Sequence, residues 1–165
     1  MAEPVWVVDT SSIIWIKSSI PRPQRAHVFQ ALTELVASGR LVFPSQVLKE
    51  LKRDSGALPP DAACQWASSV EGTACVDGAL DDVKAILALV PDILDPRKDS
   101  GVDEADPYVI AVAMRLRTDG RDARVVVQET KDTPTKLSLN TACGMLGIPS
   151  VPLLGMLRTE GISYG

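Results

Sequence analysis

The stretch Val5-Trp6-Val7-Val8-Asp9-Thr10-Ser11-Ser12 constrains the fold more than any other part of the chain. Four consecutive β-branched or aromatic residues, bounded by polar ones, read as a strand buried on both faces, the situation of a central strand in a parallel sheet. The run ends on a carboxylate, and after Thr10, Ser11 and Ser12 an apolar segment of helical character begins. Asp9 is therefore expected at the carboxyl end of a central strand, on the edge where open α/β sheets bind ligands. An Asp before an apolar run also serves as a helix N-cap. The stretch alone leaves both readings open.

The remaining pattern alternates. A short helix is expected over Ser11 to Ile16, broken by Lys17 to Pro23 with its two prolines and two serines. Gln24 to Ser38 carries apolar residues at helical spacing and is followed by Gly39, a C-terminal cap residue. Leu41-Val42-Phe43 reads as a buried strand, and the helix after Ser45 is expected to turn Val47 and Leu51 inward, with Glu50 opposite them. Further helices are expected from Asp61 through Trp66, from Leu80 to Val90, and from Asp106 and Pro107 through Leu116. A strand over Arg124 to Gln128, a helix near Thr141 to Leu146, a short strand at Ser150-Val151 and a last turn over Gly155 to Thr159 follow. Strands alternating with helices imply a parallel sheet covered on both faces. The expectation is a single domain over 1–165, a three-layer α/β/α sandwich with a mostly parallel central sheet of four or five strands.

Several function classes are excluded. The one histidine, His27, rules out a zinc site built on several imidazoles, and any Ser-His-Asp or Cys-His site that does not use His27 itself. Cys64, Cys75 and Cys143 are odd in number and form no CxxC pair, which argues against a disulfide framework and fits a reducing cytoplasm. No apolar run reaches bilayer-spanning length and no signal peptide opens the chain, so no membrane partner is expected. A net charge of −4 means that a nucleic-acid partner would need a local basic patch.

Chemistry must then rest on carboxylates, hydroxyls and basic side chains. Asp9 ends the first strand, Glu50 lies one turn into the helix after the second, and Glu129 ends the third. Asp106 is placed to cap the helix feeding strand three, where the helix dipole favours an anion, and Asp103 lies three residues earlier. In a parallel sheet all strand carboxyl ends share one edge, so these acids can meet. Taken singly, each has an ordinary explanation as a helix cap, a turn charge or a solvated helix charge. Together they repel one another, and a divalent cation removes the repulsion. Oxygen-only ligands favour Mg²⁺ or Mn²⁺. Lys17, Arg22, Arg25, Lys49, Lys52, Arg53, Lys131 and Lys136 follow or flank the acids and are the available phosphate contacts, though ordinary solvation accounts for most of them. Trp15 and Trp66 read as core rather than as base-stacking platforms.

At this point the pattern resembles the PIN domains. Val7-Val8-Asp9-Thr10-Ser11 looks like their opening motif, and Gln46 to Leu51 holds a Glu where they carry a second acid. Asp106 to Ala113 resembles their third acid and the alanine-rich helix behind it, and Val125 to Glu129 their fourth motif. Val127 and Glu129 stand where the family often has Thr and Asp. The resemblance spans nearly the whole chain and is nearest to the bacterial toxin-type members, with extra helix between Gly56 and Val102. It implies a metal-dependent endoribonuclease acting on RNA, the toxin of a toxin–antitoxin pair. Asp9, Glu50 and Asp106 would be the main Mg²⁺ or Mn²⁺ ligands, Glu129 a fourth, directly or through water, and Thr10 or Ser11 would orient Asp9 or a bound water. An antitoxin partner and a homodimer are implied in the same way. The alternatives are an inactive PIN-like binding module, a housekeeping nuclease, or a receiver-like protein phosphorylated on Asp9.

Overall fold

The computed structural model describes residues 3–55, 61–94, 104–129 and 131–164. Strands β1 (Val5–Val8), β2 (Leu41–Val42), β3 (Ala123–Val126) and β4 (Ser150–Val151) form one all-parallel sheet in the order β2-β1-β3-β4. Helices α1 (Thr10–Ser19), α2 (Arg22–Ala37), α3 (Ser45–Ser55) and α4 (Ala62–Ala74) pack on one another around β1 and β2. Helices α5 (Leu80–Leu89) and α6 (Asp106–Thr118) pair, and α6 lies against β1 and β3. Helices α7 (Leu139–Met145) and α8 (Leu153–Thr159) flank β4. The result is the three-layer α/β/α arrangement, with four strands.

The run that opens the chain is buried along its whole length, as a strand covered on both faces must be. β1 pairs with β3 from Val5↔Ala123 to Val8↔Val126 and with β2 at Trp6↔Leu41 and Val7↔Val42. Beyond β2, Phe43 makes only an isolated bridge to Cys75, so the sheet edge is covered by the end of α4. The strand order changes direction between β1 and β3. In doubly wound sheets that switch opens a crevice at the carboxyl ends of the two strands.

Two expected boundaries move for physical reasons. α1 runs on through Ser19 and α2 already starts at Arg22, shrinking the expected break to Ile20 and Pro21. Pro23 sits in the first turn of α2, where a missing N–H costs nothing. α4 continues past Trp66 to Ala74, because Ala63, Ala67, Val70 and Ala74 extend one buried stripe in which small residues replace large ones. Trp66 is core as expected: it stacks on Phe29 at 5.5 Å between centroids, and its Nε1 donates to Thr33 Oγ1 at 3.0 Å.

The helices that feed β2 and β3 end alike. Gly39 and Gly120 adopt positive φ (74° and 86°), and the residues after them, Arg40 and Arg121, donate to Leu35 and Leu116 carbonyls at 2.9 and 3.0 Å. These are Schellman closures, which turn the chain sharply into β2 and β3. Gly39→Ala places a Cβ in open space but in a backbone region costly for L-residues. It is expected to lower stability by about 1 kcal/mol without touching the site, read as a midpoint shift in urea at constant slope.

Candidate functional site

A cavity of about 290 Å³ opens at the β1/β3 switch, lined by Asp9, Thr10, Ser11, Ile14, Glu50, Arg53, Asp54, Glu104, Asp106, Glu129, Thr133 and Lys136. Four of the sequence-designated acids, Asp9, Glu50, Asp106 and Glu129, are therefore brought to one crevice. Asp103 lies outside the described residues. The sequence did not single out Glu104 and Asp54, which line the same cavity. Glu104 stands just ahead of α6, and proximity to Asp106 was its only available signal.

Asp9 is set by the exits of β1 and β3. Its N–H donates to Val126 O at 3.0 Å, and Ser12 Oγ donates to the same carbonyl at 2.9 Å. Ser11 Oγ donates to Asp9 Oδ2 at 2.7 Å while accepting the Gln128 N–H at 3.2 Å. One hydroxyl thus fixes the Asp9 carboxylate against the chain leaving β3. Asp9 also caps α1, through a long 3.4 Å contact from the Ser11 N–H. Capping alone gives no reason to bury an acid beside two others. Burial, with the negative charges of Asp106 and Glu50, pushes the Asp9 carboxyl up from 3.8 to about 7, against the lowering pull of Ser11.

Glu50 corrects the expectation placed on it. It does not lie opposite Val47 and Leu51 but on the same buried arc of α3, 8% exposed. A buried carboxylate needs donors. Thr10 Oγ1 donates to its Oε1 at 2.5 Å and the Ala105 N–H to its Oε2 at 3.1 Å. The Thr10 hydroxyl therefore serves Glu50, while the Ser11 hydroxyl and the Thr10 backbone serve Asp9. Glu50 ties the start of α1 to the N-cap of α6.

Asp106 is not the cap of α6. Ala105 holds the N-cap position, and Asp106 is the first helical residue, still at the positive end of the dipole. Its Oδ2 accepts from Lys136 Nζ at 2.8 Å. The Lys136 ammonium is held above its usual range: burial opposes the charge, but Asp106, Glu104 and Glu129 outweigh it. Glu129 does not end β3, which stops at Val126 with one more ladder bond from the Val127 N–H to Val151 O. It sits three residues farther on, exposed at the cavity rim.

Of the candidate cations, Lys136 and Arg53 reach the cavity, and Arg53 is engaged with Asp54 at 2.9 Å. Lys17 instead pairs with Asp61 at 2.5 Å, and Lys49, Lys52 and Lys131 are exposed outside the lining. Cys143, buried nearby, is pushed up to about 12 by burial and by Asp106 and Asp9, which leaves it a neutral, unreactive thiol.

The donor chemistry suits a hard divalent cation: oxygen donors only, with Asp106 and Glu50 close enough to raise the pKa of Asp9. Among the described residues, however, no three acidic, His or Cys side chains stand grouped ready to grip an ion. The reason is local. Asp106 faces an ammonium, and both Glu50 oxygens already accept hydrogen bonds. Each carboxylate oxygen keeps a spare lone pair, so the residues fit a cation once Asp106 exchanges its Lys136 partner. No described helix is long and apolar enough to cross a membrane.

Residues 6–164 match the family model described as a domain of unknown function, DUF4411, and the chain belongs to that family. No curated protein and no solved structure matches the chain.

Proposed function

We propose that this member of the DUF4411 family is a Mg²⁺- or Mn²⁺-dependent endoribonuclease. The observation that carries the reading is the meeting of Asp9, Glu50 and Asp106, from three distant segments, at the sheet's switch point, with Asp9 held near a neutral pKa by burial and by the charges of the other two. A site that raises a buried acid so far is set up for a counter-charge or for proton chemistry. The resemblance of the four acidic motifs to PIN domains supports RNA as the substrate.

In this reading Asp9, Glu50 and Asp106 hold the cation and Glu129 reaches it from the rim. A cation bound there would lower the pKa of a water and stabilise charge on the leaving oxygen. Ser11 keeps Asp9 aimed into the cavity, and Thr10 keeps Glu50 beside it. The buried Val126 and Val127 behind the site keep solvent from the back of the carboxylates.

The test is cleavage of end-labelled single-stranded RNA and of the matching DNA. RNA cleavage with Mn²⁺, abolished by EDTA and restored by added metal, is expected. Cleavage indifferent to EDTA would overturn the mechanism, and no cleavage of any RNA, with no metal bound, would favour an inactive binding module. The same reading makes the chain the toxin of a toxin–antitoxin pair, working in the cytoplasm. An acidic cleft of this kind is readily silenced by a partner's inserted Arg or Lys.

A further inference from the structure

We infer that Lys136 is a tethered cation that holds the metal's place on Asp106 and moves to the substrate phosphate when the metal enters. The inference rests on the metal-dependent reading above and assigns one residue within it. Among the described residues, the cavity lining carries six carboxylates, from Asp9, Glu50, Asp54, Glu104, Asp106 and Glu129, against two cationic side chains. Arg53 is committed to Asp54. Lys136 is thus the cation that meets Asp106, at 2.8 Å, in a pair whose side chains are 20% and 19% exposed.

The backbone around Lys136 is held while its side chain stays long and rotatable. The Thr133 N–H donates to Lys136 O at 2.8 Å, Asp132 Oδ1 accepts the Ser138 N–H at 2.8 Å, and the Leu137 N–H donates to Asp92 O at 2.7 Å. A lysine on such a clamped turn delivers a point charge over a short arc. Its second contact, to Leu137 O, is 3.5 Å and weak. Among the described residues, Asp106 makes the one close hydrogen bond to the ammonium.

A divalent cation and an ammonium compete for one carboxylate, and the divalent ion wins by charge. The displaced ammonium stays over the same cavity, with Glu104 and Glu129 close enough to act on it. Lys136 lines the same cavity as Asp9, so a phosphodiester bound there lies within reach of its charge. The phosphodiester's negative charge replaces Asp106 as the partner of Lys136, so the displaced ammonium keeps an anionic partner in the loaded site.

Lys136→Met and Lys136→Arg test this in the full chain, with Lys131→Met as a control for bulk charge on the same loop. Mn²⁺ alone is titrated by calorimetry. A 5′-labelled single-stranded RNA is then titrated with Ca²⁺ present, which supports binding without turnover. Lys136→Met is expected to bind Mn²⁺ about tenfold more tightly. It should bind RNA more weakly, with a log–log salt slope smaller by about one. Lys136→Arg should restore the RNA slope, and Lys131→Met should change neither constant. Unchanged Mn²⁺ and RNA affinities in Lys136→Met overturn the inference while leaving the metal site standing. Equal changes in Lys131→Met would reduce it to general electrostatics and overturn it too. No Mn²⁺ binding to the wild type would overturn both the inference and the reading beneath it.

Discussion

Asp9→Asn and Asp106→Asn are each expected to abolish metal-dependent RNA cleavage while leaving the protein folded. Losing a group that merely supports a metal ligand costs 10- to 100-fold. Losing a ligand from a three-acid set is expected to cost about a thousandfold or more. Folding should survive because Asn keeps what the backbone needs. Asn caps helices as well as Asp does, and its oxygen can still accept from Ser11. At Asp106 the change frees Lys136 but removes a negative charge from the Asp9 environment. Residual cleavage within tenfold of wild type, at normal circular dichroism, would remove these acids from the chemistry. The same variants give the cellular readout. Induced in a bacterial host at matched soluble levels, only the wild type should arrest growth, and equal growth would leave a housekeeping nuclease.

The second large effect is on stability and its dependence on pH. A carboxyl whose folded pKa is about 7 against 3.8 binds its proton more tightly in the native state. The stability this contributes is complete below pH 3.8 and is lost as pH rises through 7. The metal-free protein should therefore weaken between pH 4 and 8, by at most about 4 kcal/mol from this group. Asp61, Asp122 and Asp132, whose pKa values are lowered by their hydrogen-bond partners, set the opposite limb at acid pH. Asp9→Asn should flatten the upper limb and melt higher than wild type at pH 8. Mn²⁺ should reverse the loss, since it binds the ionised cleft and releases a proton. At a hundredfold excess over its dissociation constant it adds about 2.7 kcal/mol. In a chain of this length that is a rise of roughly 5–10 °C, larger at pH 8 than at pH 6. A metal-free melting temperature that climbs from pH 6 to 8 in wild type, or an Mn²⁺ response equal in Asp9→Asn, would contradict the account.

The fold was legible where periodicity and burial coincide. Val5 to Val8 announces a doubly covered strand because no residue in it is polar, and the alternation of elements implies the parallel sheet. α4 was read too short because its inward stripe is largely alanine, which carries little hydrophobic signal. The convergence of Asp9, Glu50, Asp106 and Glu129 could be anticipated from their places near the strand exits and helix starts that a parallel sheet brings to one edge. Their partners could not. Glu50 was assigned to the wrong face of α3 because a charged residue reads as outward. What turns it inward is Thr10, 40 residues away, and the Ala105 N–H, 55 residues away. Lys136 lies 30 residues beyond Asp106 on a loop whose sequence gives no sign of where its ammonium points.

The stitching between the exits of β1 and β3 has a consequence for the timing of synthesis. Ser12 meets Val126 across 114 residues and Gln128 meets Ser11 across 117. A ribosome that has released only the first hundred residues has supplied Asp9 and Glu50 but nothing to pair with the far side of β1. Such a nascent chain holds half a cleft, its Asp9 exposed to water and ionised like any other aspartate. The acids close on one another only when the strand at 123–126 has been made and slots in beside the first. If the chain is a nuclease, it cannot cut until its third strand has emerged, and the RNA nearest to it throughout that interval is the message it is read from.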